Sequence, residues 1–328
     1  MTADSQSQPP SAHTGRLIHQ MLEFGSAEEL ASTAGRFALD GVSAGEPVLC
    51  VATEDTIRTV RAAVGEHADR IEFYESPPRV AMPDQRVEEF RRYVHQHHKA
   101  HRVRALGEPL CDGPWELRRR EWHRAEAAMN IVLNDQPLWL VCLYDARRVA
   151  PAEIEQARRT HPQLYSVEHG VIASEDYTDP AELGAVLDTT ELGEPGQLLA
   201  ERAAAAEDLA DVRRLVGNLA TQHGLPADRT EDFVFAVSEV TTNAIEHGDG
   251  PGQLRLWRAD ARLACDVISR GPGFDKPFPG YNPPTQSAVS GHGLWIARQC
   301  CDLFEIRNQT TGTTVRMHMA LPPASGRA

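Results

Sequence analysis

The stretch from Phe233 to Gly248 constrains this chain more than any other part of it. Its apolar residues recur at helical spacing, which predicts an amphipathic helix with one buried face. On another flank, Glu239 and Asn243 are four residues apart, so their side chains lie one above the other. A carboxylate and a carboxamide in that arrangement suit a divalent cation, its nucleotide and an attacking hydroxyl. A polar pair at this spacing is also common on solvated helix surfaces, so the pair alone does not assign a function.

Two glycine clusters follow this helix. Gly271 and Gly273 come after a strand-like run, and Gly291 and Gly293 open a second helical segment. Glycines ahead of a helix let backbone N–H groups approach phosphate oxygens, and the helix N-terminus favours negative charge. Each cluster alone is typical of a turn, but their order is more specific. A helix with the pattern Glu-x-x-x-Asn is followed by a strand, the first Gly-x-Gly and a polar segment with prolines. The second Gly-x-Gly then opens another helix, and two strands follow, of which the last contains Gly312-Thr-Thr-Val-Arg316.

This order resembles the Bergerat ATP-binding module of histidine kinases, gyrase-type ATPases and chaperones. Within that superfamily, the compact layout and the ending Gly-Thr-Thr-Val-Arg-Met-His-Met are similar to the branch of anti-sigma factors and serine kinases. The resemblance covers about residues 196–322 and implies an α+β sandwich that binds ATP with Mg²⁺. It implies a sigma factor or an anti-sigma antagonist as protein partner. Homodimerisation fits this family, although the sequence marks no self-complementary surface.

The resemblance also implies roles for particular residues. Asn243 would coordinate the Mg²⁺ that bridges the nucleotide phosphates, and Glu239 would accept the proton of a serine or threonine hydroxyl. His247 would lie at the pocket edge, although a histidine at a helix end also serves as a cap. The other nucleotide-binding candidates belong to the glycine clusters and the last strand: Ser269, Gly271, Gly273, Gly291, His292, Gly293, Leu294 and Thr314.

Ser269 departs from the family pattern. An aspartate normally precedes the first glycine of Gly-x-Gly by two residues, where it accepts a hydrogen bond from the adenine amino group. Asp266 is no obvious substitute, because three residues along a strand its side chain points to the opposite face. Losing a charge-assisted hydrogen bond of about 1.5–3 kcal/mol would weaken nucleotide binding roughly 10- to 150-fold. Two functions therefore stay open: a Ser/Thr protein kinase, and a non-catalytic protein of the same fold that sequesters its partner.

The N-terminal half alternates strand-like and helical runs, which predicts an α/β fold with a mostly parallel sheet. The run Leu138–Asp145 ends in an acid, as in a Walker B element, but Thr53-Glu54-Asp55 after the run Pro47–Ala52 would repel phosphate. We therefore expect a RecA-like scaffold without nucleotide chemistry. Candidate strands are Pro47–Ala52, Arg70–Tyr74, Val103–Leu106 and Leu138–Tyr144, and candidate helices are Ser26–Asp40, Thr56–Val64, Val87–His101, Trp115–Leu133 and Pro151–Thr160.

Several short motifs in this half carry a second resemblance. They include His19 ahead of Ser26-Ala-Glu-Glu-Leu30, Gly107-Glu-Pro109, Leu143-Tyr-Asp145 and Thr160-His-Pro162. Together they resemble the MEDS sensory domain of methanogens and methylotrophs over roughly residues 16–175. The resemblance implies a module that senses a small molecule or a partner without enzymatic activity of its own. It does not identify the ligand.

By sequence the chain divides into a sensory domain at 16–175, a linker at 176–195 and an ATPase-like domain at 196–322. The linker is acidic and contains proline and glycine residues, which favours an irregular connection. Its scattered alanine and leucine residues leave room for one short helix around Pro180–Leu187.

Charge and composition argue against several functions. The 328 residues carry a formal net charge of −14, which disfavours a nucleic-acid surface and a basic membrane patch. The sequence has no run of about 18 apolar residues that would predict a membrane helix, and its polar N-terminus does not fit a signal peptide. The six cysteines lack C-x-x-C spacing, so we expect a cytoplasmic protein. A DNA-binding factor and a histidine kinase are disfavoured, because helix-turn-helix and phosphoacceptor-hairpin patterns are missing.

A histidine-rich run in the N-terminal half offers a candidate metal site. His97 and His101 are four residues apart within a predicted helix, a spacing that can bind zinc or nickel. The sequence provides no third ligand at a suitable distance, and Lys99 with neighbouring arginines favours a solvated helix face.

Overall fold

The computed structural model describes residues 15–76, 82–109, 116–166, 170–259, 261–283 and 292–322. These residues form two compact units. The first unit holds 15–76, 89–109, 129–166 and 170–177, and the second holds 82–88, 116–128, 178–259, 261–283 and 292–322. Segments 82–88 and 116–128, which the sequence assigns to the sensory domain, therefore pack within the second unit. Among the described residues, no helix is both long and apolar enough to span a bilayer.

The first unit is built on a seven-stranded sheet. Its strands are β1 (Ile18–Phe24), β2 (Val48–Ala52), β3 (Ile71–Glu75), β4 (Val103–Gly107), β5 (Leu138–Asp145), β6 (Gln163–Ser166) and β7 (Gly170–Ala173). Their spatial order is β3-β2-β4-β5-β1-β6-β7, and only the β6–β7 pair is antiparallel. The expected mostly parallel sheet is confirmed, whereas β1, β6 and β7 were not predicted from the sequence.

Five helices belong to this half of the chain: α1 (Ala27–Ala44), α2 (Glu54–Val64), α3 (Pro83–Gln96), α4 (Glu116–Val132) and α5 (Pro151–Thr160). Helix α1 begins where Ser26 accepts a hydrogen bond from the Glu29 N–H, and it ends at Gly45 in the left-handed conformation (φ 72°). Its apolar face packs with α2 on one face of the sheet. Phe37 and Val60 lie in that core.

The turn between β1 and α1 is where a phosphate-binding loop would lie in a nucleotide-binding α/β domain. Here the Gly25 N–H donates to Glu29 Oε2 at 2.7 Å, and the Glu29 N–H donates to Ser26 Oγ at 3.1 Å. The Glu29 carboxylate thus takes a backbone donor that a phosphate would need, and its charge repels one. The sequence argument tested the turn after β2, because it missed β1. The turn after β1 is the one that tests for a phosphate-binding loop, and its residues also disfavour phosphate.

The predicted extension of the helix to His101 is wrong, and with it the helical spacing of His97 and His101. Helix α3 ends at Gln96, so these two histidines do not share a helical face. His97 Nε2 instead lies 3.3 Å from the carboxylate of Glu72 on the neighbouring strand.

The second unit is built on a five-stranded antiparallel sheet. Its strands are β8 (Gln197–Ala204), β9 (Gly252–Ala259), β10 (Arg262–Arg270), β11 (Leu303–Gln309) and β12 (Gly312–Ala320), in the order β11-β12-β10-β9-β8. Its helices are α6 (Pro180–Asp188), α7 (Leu209–Gln222), α8 (Ala227–His247) and α9 (His292–Cys300). Helix α6 confirms the short helix expected in the linker.

Helices α7, α8 and α9 cover one face of this sheet. Alternate residues of β10, Leu263, Cys265 and Val267, point into this core, where they meet Val237 and Val240 of α8. Because side chains alternate along a strand, Ser269 shares that helix-facing side, and Asp266 points away from it. The α+β layering expected for the C-terminal half is present.

The opposite face of the sheet carries buried charges. Asp266 accepts hydrogen bonds from Arg316 Nε at 2.6 Å, Arg316 Nη2 at 2.8 Å and Trp257 Nε1 at 3.1 Å. The expectation that Asp266 points to the face opposite to Ser269 is therefore confirmed. Its carboxylate is occupied, and it lies on the other face of the sheet.

A second buried carboxylate on this face, Glu305, accepts a hydrogen bond from His318 Nε2 at 2.7 Å and pairs with Arg120. Burial raises the pKa of Glu305, but the His318 hydrogen bond and the charges of His318, Arg120 and Arg316 outweigh burial and lower it to about 2. Arg120 belongs to the segment 116–128, so this ion pair attaches that segment to the sheet of the second unit.

Candidate functional site

The candidate site is centred on the polar flank of helix α8. The buried side of α8 carries Val237, Val240 and Ala244, which pack in the core of the unit. Glu239 and Asn243 follow one another on a neighbouring flank, where both side chains are half-buried. A half-buried position keeps the carboxylate and the carboxamide accessible while neighbouring atoms restrict where they can point.

The first turn of α9 lies directly against this polar pair. A Cβ atom built on Gly293 would stand 2.5 Å from Glu239 Oε2 and 3.5 Å from Asn243 Nδ2. Only glycine allows this approach without displacing the Glu239 carboxylate. The N-terminus of a nine-residue helix, with its outward N–H groups and positive dipole end, thereby lies beside both polar side chains.

Ser269 lies near the other end of the same flank. Helix α8 ends at His247, and a Cβ atom built on its capping residue Gly248 would be 3.3 Å from the Ser269 Cβ. Ser269 is half-buried and pairs with Thr313 of β12 across the sheet. This pair of hydroxyl residues stands where the family pattern has an aspartate.

The first glycine cluster forms a turn that only glycine adopts easily. Gly271 and Gly273 have φ angles of 124° and 76°, in the region that disfavours side chains. A Cβ atom at Gly273 would also lie 2.2 Å from Asn308 Oδ1. The Asn308 side chain accepts from the Phe274 N–H and donates to the Phe274 carbonyl, both at 2.8 Å, so it holds the residue after the turn by both backbone groups.

The structure places three further predicted residues in different surroundings. His247 is exposed at the last position of α8, and Leu294 is buried in the apolar core. Thr314 pairs with Ile268 on the sheet face opposite to the helices. Gly291 and the side chain of His292 fall outside the described residues, although α9 begins at His292.

Three residues at the site were missed by the sequence reasoning: Asp249, Asn308 and Thr313. The Asp249 carboxylate lies 3.6 Å from a Cβ position built on Gly271, and the Asp249 N–H donates to the Arg270 carbonyl at 2.9 Å. Thr313 donates to Asn308 Oδ1 at 3.1 Å. Asp249 comes two residues after the end of α8, so its position in the chain was the one local signal available.

The segment after Gly273 is attached to α9 through Arg298. This buried guanidinium donates to the Pro279 carbonyl at 3.0 Å and pairs with Asp84 Oδ2 at 2.9 Å. It stacks on the Tyr281 ring, 4.2 Å from the ring centre. Burial raises the pKa of Tyr281 well above its usual value, and the charge of Asp84 raises it further, so the phenol stays protonated. Phe278 adopts a positive φ of 54° beside Gly184 of α6.

The residues present fit the phosphate and metal end of Mg-ATP better than its base. Asn243 offers a neutral oxygen ligand for Mg²⁺, and Gly293 brings the first turn of α9, whose N–H groups suit phosphate oxygens, beside this side chain. At the base, Ser269 offers a neutral hydroxyl in place of a carboxylate. The arrangement can therefore hold a phosphorylated ligand and position a general base, but it offers no charged hydrogen-bond acceptor for adenine at Ser269.

Comparison with known families agrees with this geometry. A model of the MEDS family, described as MEthanogen/methylotroph, DcmR Sensory domain, matches residues 18–162. A model of the histidine kinase-like ATPase domain matches residues 202–319. The serine-protein kinase RsbW of Bacillus licheniformis is 31% identical over 120 residues, which cover 74% of that relative and 32% of this chain.

The chain belongs to the histidine kinase-like ATPase family. It joins an ATPase domain of the anti-sigma factor and serine kinase type to an N-terminal MEDS domain. The serine-protein kinase RsbW of Bacillus subtilis (strain 168) is 28% identical over 119 residues, again covering 74% of the relative and 32% of this chain. The matched region contains Glu239, Asn243, Ser269 and Gly293.

Among solved structures, the cytoplasmic domain of EssC aligns with 51% of this chain at 14% identity. The chain spans 38% of that protein's length, and the TM-score is 0.28. A likeness at this level carries no argument about fold or function.

Proposed function

We propose that this protein is a partner-switching regulator of the RsbW type, which binds a sigma factor or an anti-sigma antagonist through its ATPase domain. We further propose that it phosphorylates a serine or threonine of the antagonist with Mg-ATP, in the cytoplasm. The MEDS domain, a RecA-like scaffold without nucleotide chemistry, would control this activity by sensing a small molecule or a partner. The observation that carries the proposal is the approach of Gly293 to both Glu239 and Asn243.

In this mechanism each residue has a separate task. The Asn243 carboxamide oxygen would hold Mg²⁺, and the N–H groups at the start of α9 would bind phosphate oxygens. The Glu239 carboxylate accepts the proton of the attacking hydroxyl, a contribution that is typically worth about 10²- to 10⁴-fold in rate. Bound Mg-ATP would supply the phosphoryl group, and positioning with charge neutralisation would account for most of the acceleration.

A second function is supported by Ser269. Without the aspartate, a protein of this fold can sequester a partner and bind ATP weakly or not at all. The Asp249 carboxylate, 3.6 Å from a Cβ position built on Gly271, offers a negative charge beside the glycine turn. A sensor histidine kinase fits less well. Residues 178–208 fold mainly as α6 and β8 and contain no histidine that could accept a phosphoryl group.

Calorimetric titration of the full chain with Mg-ATP separates the two functions. A dissociation constant below about 100 µM, or about −5.5 kcal/mol, supports the kinase. Binding that appears only after Ser269→Asp supports the sequestering protein. Asn243→Ala should abolish binding without a drop in melting temperature, whereas Asn218→Ala, an exposed asparagine of α7, should change neither.

Phosphoryl transfer itself is tested with labelled ATP and an extract of the source cells. Labelling of a second protein should fall at least about 100-fold with Glu239→Gln. Glu246→Gln, which changes an exposed glutamate on the same helix, is the matched control and should leave labelling intact. Equal labelling by both variants would contradict the assignment of Glu239 as the general base.

A further inference from the structure

A buried cluster of two histidines and one cysteine lies in the first unit. Strands β1 and β5 are parallel neighbours, with His19 opposite Leu140 and Met21 opposite Cys142. His19 and Cys142 therefore share one face of the sheet, the face opposite to α1 and α2. His161 follows directly after α5. All three side chains are buried, and each can offer one ligand atom within 4.8 Å of the others.

Hydrogen bonds fix which nitrogen of His19 carries the lone pair. The Asn130 Nδ2 donates to the Thr160 carbonyl at 2.7 Å, so Asn130 Oδ1 is the atom that faces His19 Nδ1 at 3.0 Å. An amide oxygen can only accept, so His19 Nδ1 carries the proton. The lone pair is then on Nε2, which makes a hydrogen-bond contact of 3.4 Å with Cys142 Sγ.

The same argument holds for His161. Its Nδ1 lies 2.7 Å from the Ala157 carbonyl oxygen, which can only accept, so Nδ1 carries the proton and Nε2 the lone pair. The two imidazole rings are 4.2 Å apart between their centres. Both histidines are thus held in the tautomer that ligates through Nε2, each by an oxygen acceptor behind it. This is the outer-shell arrangement that orients histidine ligands in metalloproteins.

We propose that His19, Cys142 and His161 bind a divalent metal ion of the zinc class. In a tetrahedral zinc site the nitrogen and sulfur ligands are about 3.5 Å apart, from bonds of about 2.0 and 2.3 Å. The observed separation between His19 Nε2 and Cys142 Sγ is 3.4 Å. One ligand atom from each of the three residues lies within 4.8 Å of the others, and closing the widest of these separations to a similar spacing requires a movement of about 1 Å.

The ligand set selects the class of ion. Two imidazoles and one thiolate suit late first-row transition metals such as Zn²⁺, Co²⁺ and Cu²⁺, whereas Mg²⁺ and Ca²⁺ prefer oxygen ligands. Binding replaces the thiol proton of Cys142, so one S–metal bond forms, one S–H bond breaks and one proton is released to solvent. Within the described residues the group has three protein ligands, which leaves a fourth coordination position for water or a small molecule.

Cobalt is the probe that reports this site directly, because a Co²⁺–thiolate bond gives a near-ultraviolet charge-transfer band. The reduced full-length chain is titrated with Co²⁺, and the metal content after Zn²⁺ loading is measured by mass spectrometry. Two variants remove ligands, Cys142→Ser and His161→Gln. Their matched controls are Cys50→Ser, which changes a buried cysteine on the other face of the sheet, and His98→Gln, which changes an exposed histidine.

We expect one metal ion per chain in the native protein and in both controls. Cys142→Ser should lose the charge-transfer band, His161→Gln should bind at least about 10-fold more weakly, and Asn130→Ala about 10- to 100-fold more weakly. Circular dichroism of the metal-free variants checks that each is folded. The native chain alone suffices to overturn the proposal: no thiolate–cobalt band at saturating Co²⁺ refutes it. Retention of the band in Cys142→Ser, or its loss in His98→Gln, also refutes it.

Discussion

The substitution Ser269→Asp is expected to change nucleotide affinity and apo stability in opposite directions. Ser269 is half-buried on the helix-facing side of β10, at the position where the family has an aspartate. A carboxylate there would accept a charge-assisted hydrogen bond from the adenine amino group, worth about 1.5–3 kcal/mol. The affinity for Mg-ATP should therefore rise roughly 10- to 150-fold.

The same carboxylate should destabilise the protein without nucleotide. Gly248 caps the C-terminus of α8, and its built Cβ position is 3.3 Å from the Ser269 Cβ, so the new charge would lie at the negative end of the helix. Such a placement costs about 0.3–1 kcal/mol. In a unit of this size that corresponds to a fall of about 1–4 °C in melting temperature. At about 100 times the dissociation constant, bound nucleotide restores about 2.7 kcal/mol.

Calorimetry gives the affinity, and thermal melting with and without Mg-ATP gives the stability. Ser269→Asn is the matched control, because it offers a similar acceptor without charge and should show a smaller gain and no dipole penalty. Mg-GTP is the second control, since guanine has a carbonyl oxygen where adenine has its amino group. Equal gains for ATP and GTP, or no gain for ATP, would refute the placement of adenine beside Ser269.

Two further predictions concern the second unit. In Gly293→Ala the new Cβ would lie 2.5 Å from Glu239 Oε2, so the carboxylate should move by about 1 Å and phosphoryl transfer should fall about 100-fold, with little loss of stability. Gly217→Ala on α7 is the control, because its new Cβ would make an ordinary contact of 3.5 Å. Equal rates of phosphoryl transfer in the two variants would contradict the prediction. Glu305, with a pKa lowered to about 2, stabilises the fold above its unfolded pKa of about 4.5 and loses this contribution as pH falls toward 2. Native protein should lose about 2 kcal/mol more than Glu305→Gln between pH 7 and pH 3 in urea unfolding, and parallel curves would contradict the assigned pKa.

Much of the helical architecture could be predicted from local patterns. The spacing of Glu239 and Asn243 determines their relative direction on any helix, so this polar pair was recognisable before the fold was known. Strand β1 was missed because buried polar residues interrupt its apolar pattern. Gln20 accepts from Trp139 Nε1 and donates to Gln163, both at 2.8 Å, and these partners lie more than 100 residues away.

The choice between Thr313 and Thr314 on β12 shows a second limit of prediction from sequence. Thr313 and Thr314 are adjacent and chemically alike, and a shift of one residue in register exchanges their faces. Pairing with β10 puts Thr313 opposite Ser269 and Thr314 opposite Ile268. The sequence motif identified the strand, but register depends on hydrogen bonds between strands, which no local pattern records.

The sequence by itself determined both families, the order of the glycine clusters and the missing aspartate at Ser269, because these depend on residue identity and spacing along the chain. Tertiary structure alone decided that segments 82–88 and 116–128 pack in the second unit. Asp84 pairs with Arg298, 214 residues away, and Arg120 pairs with Glu305, 185 residues away. A buried charge needs a partner of opposite sign, and only the folded chain determines which distant residue supplies it.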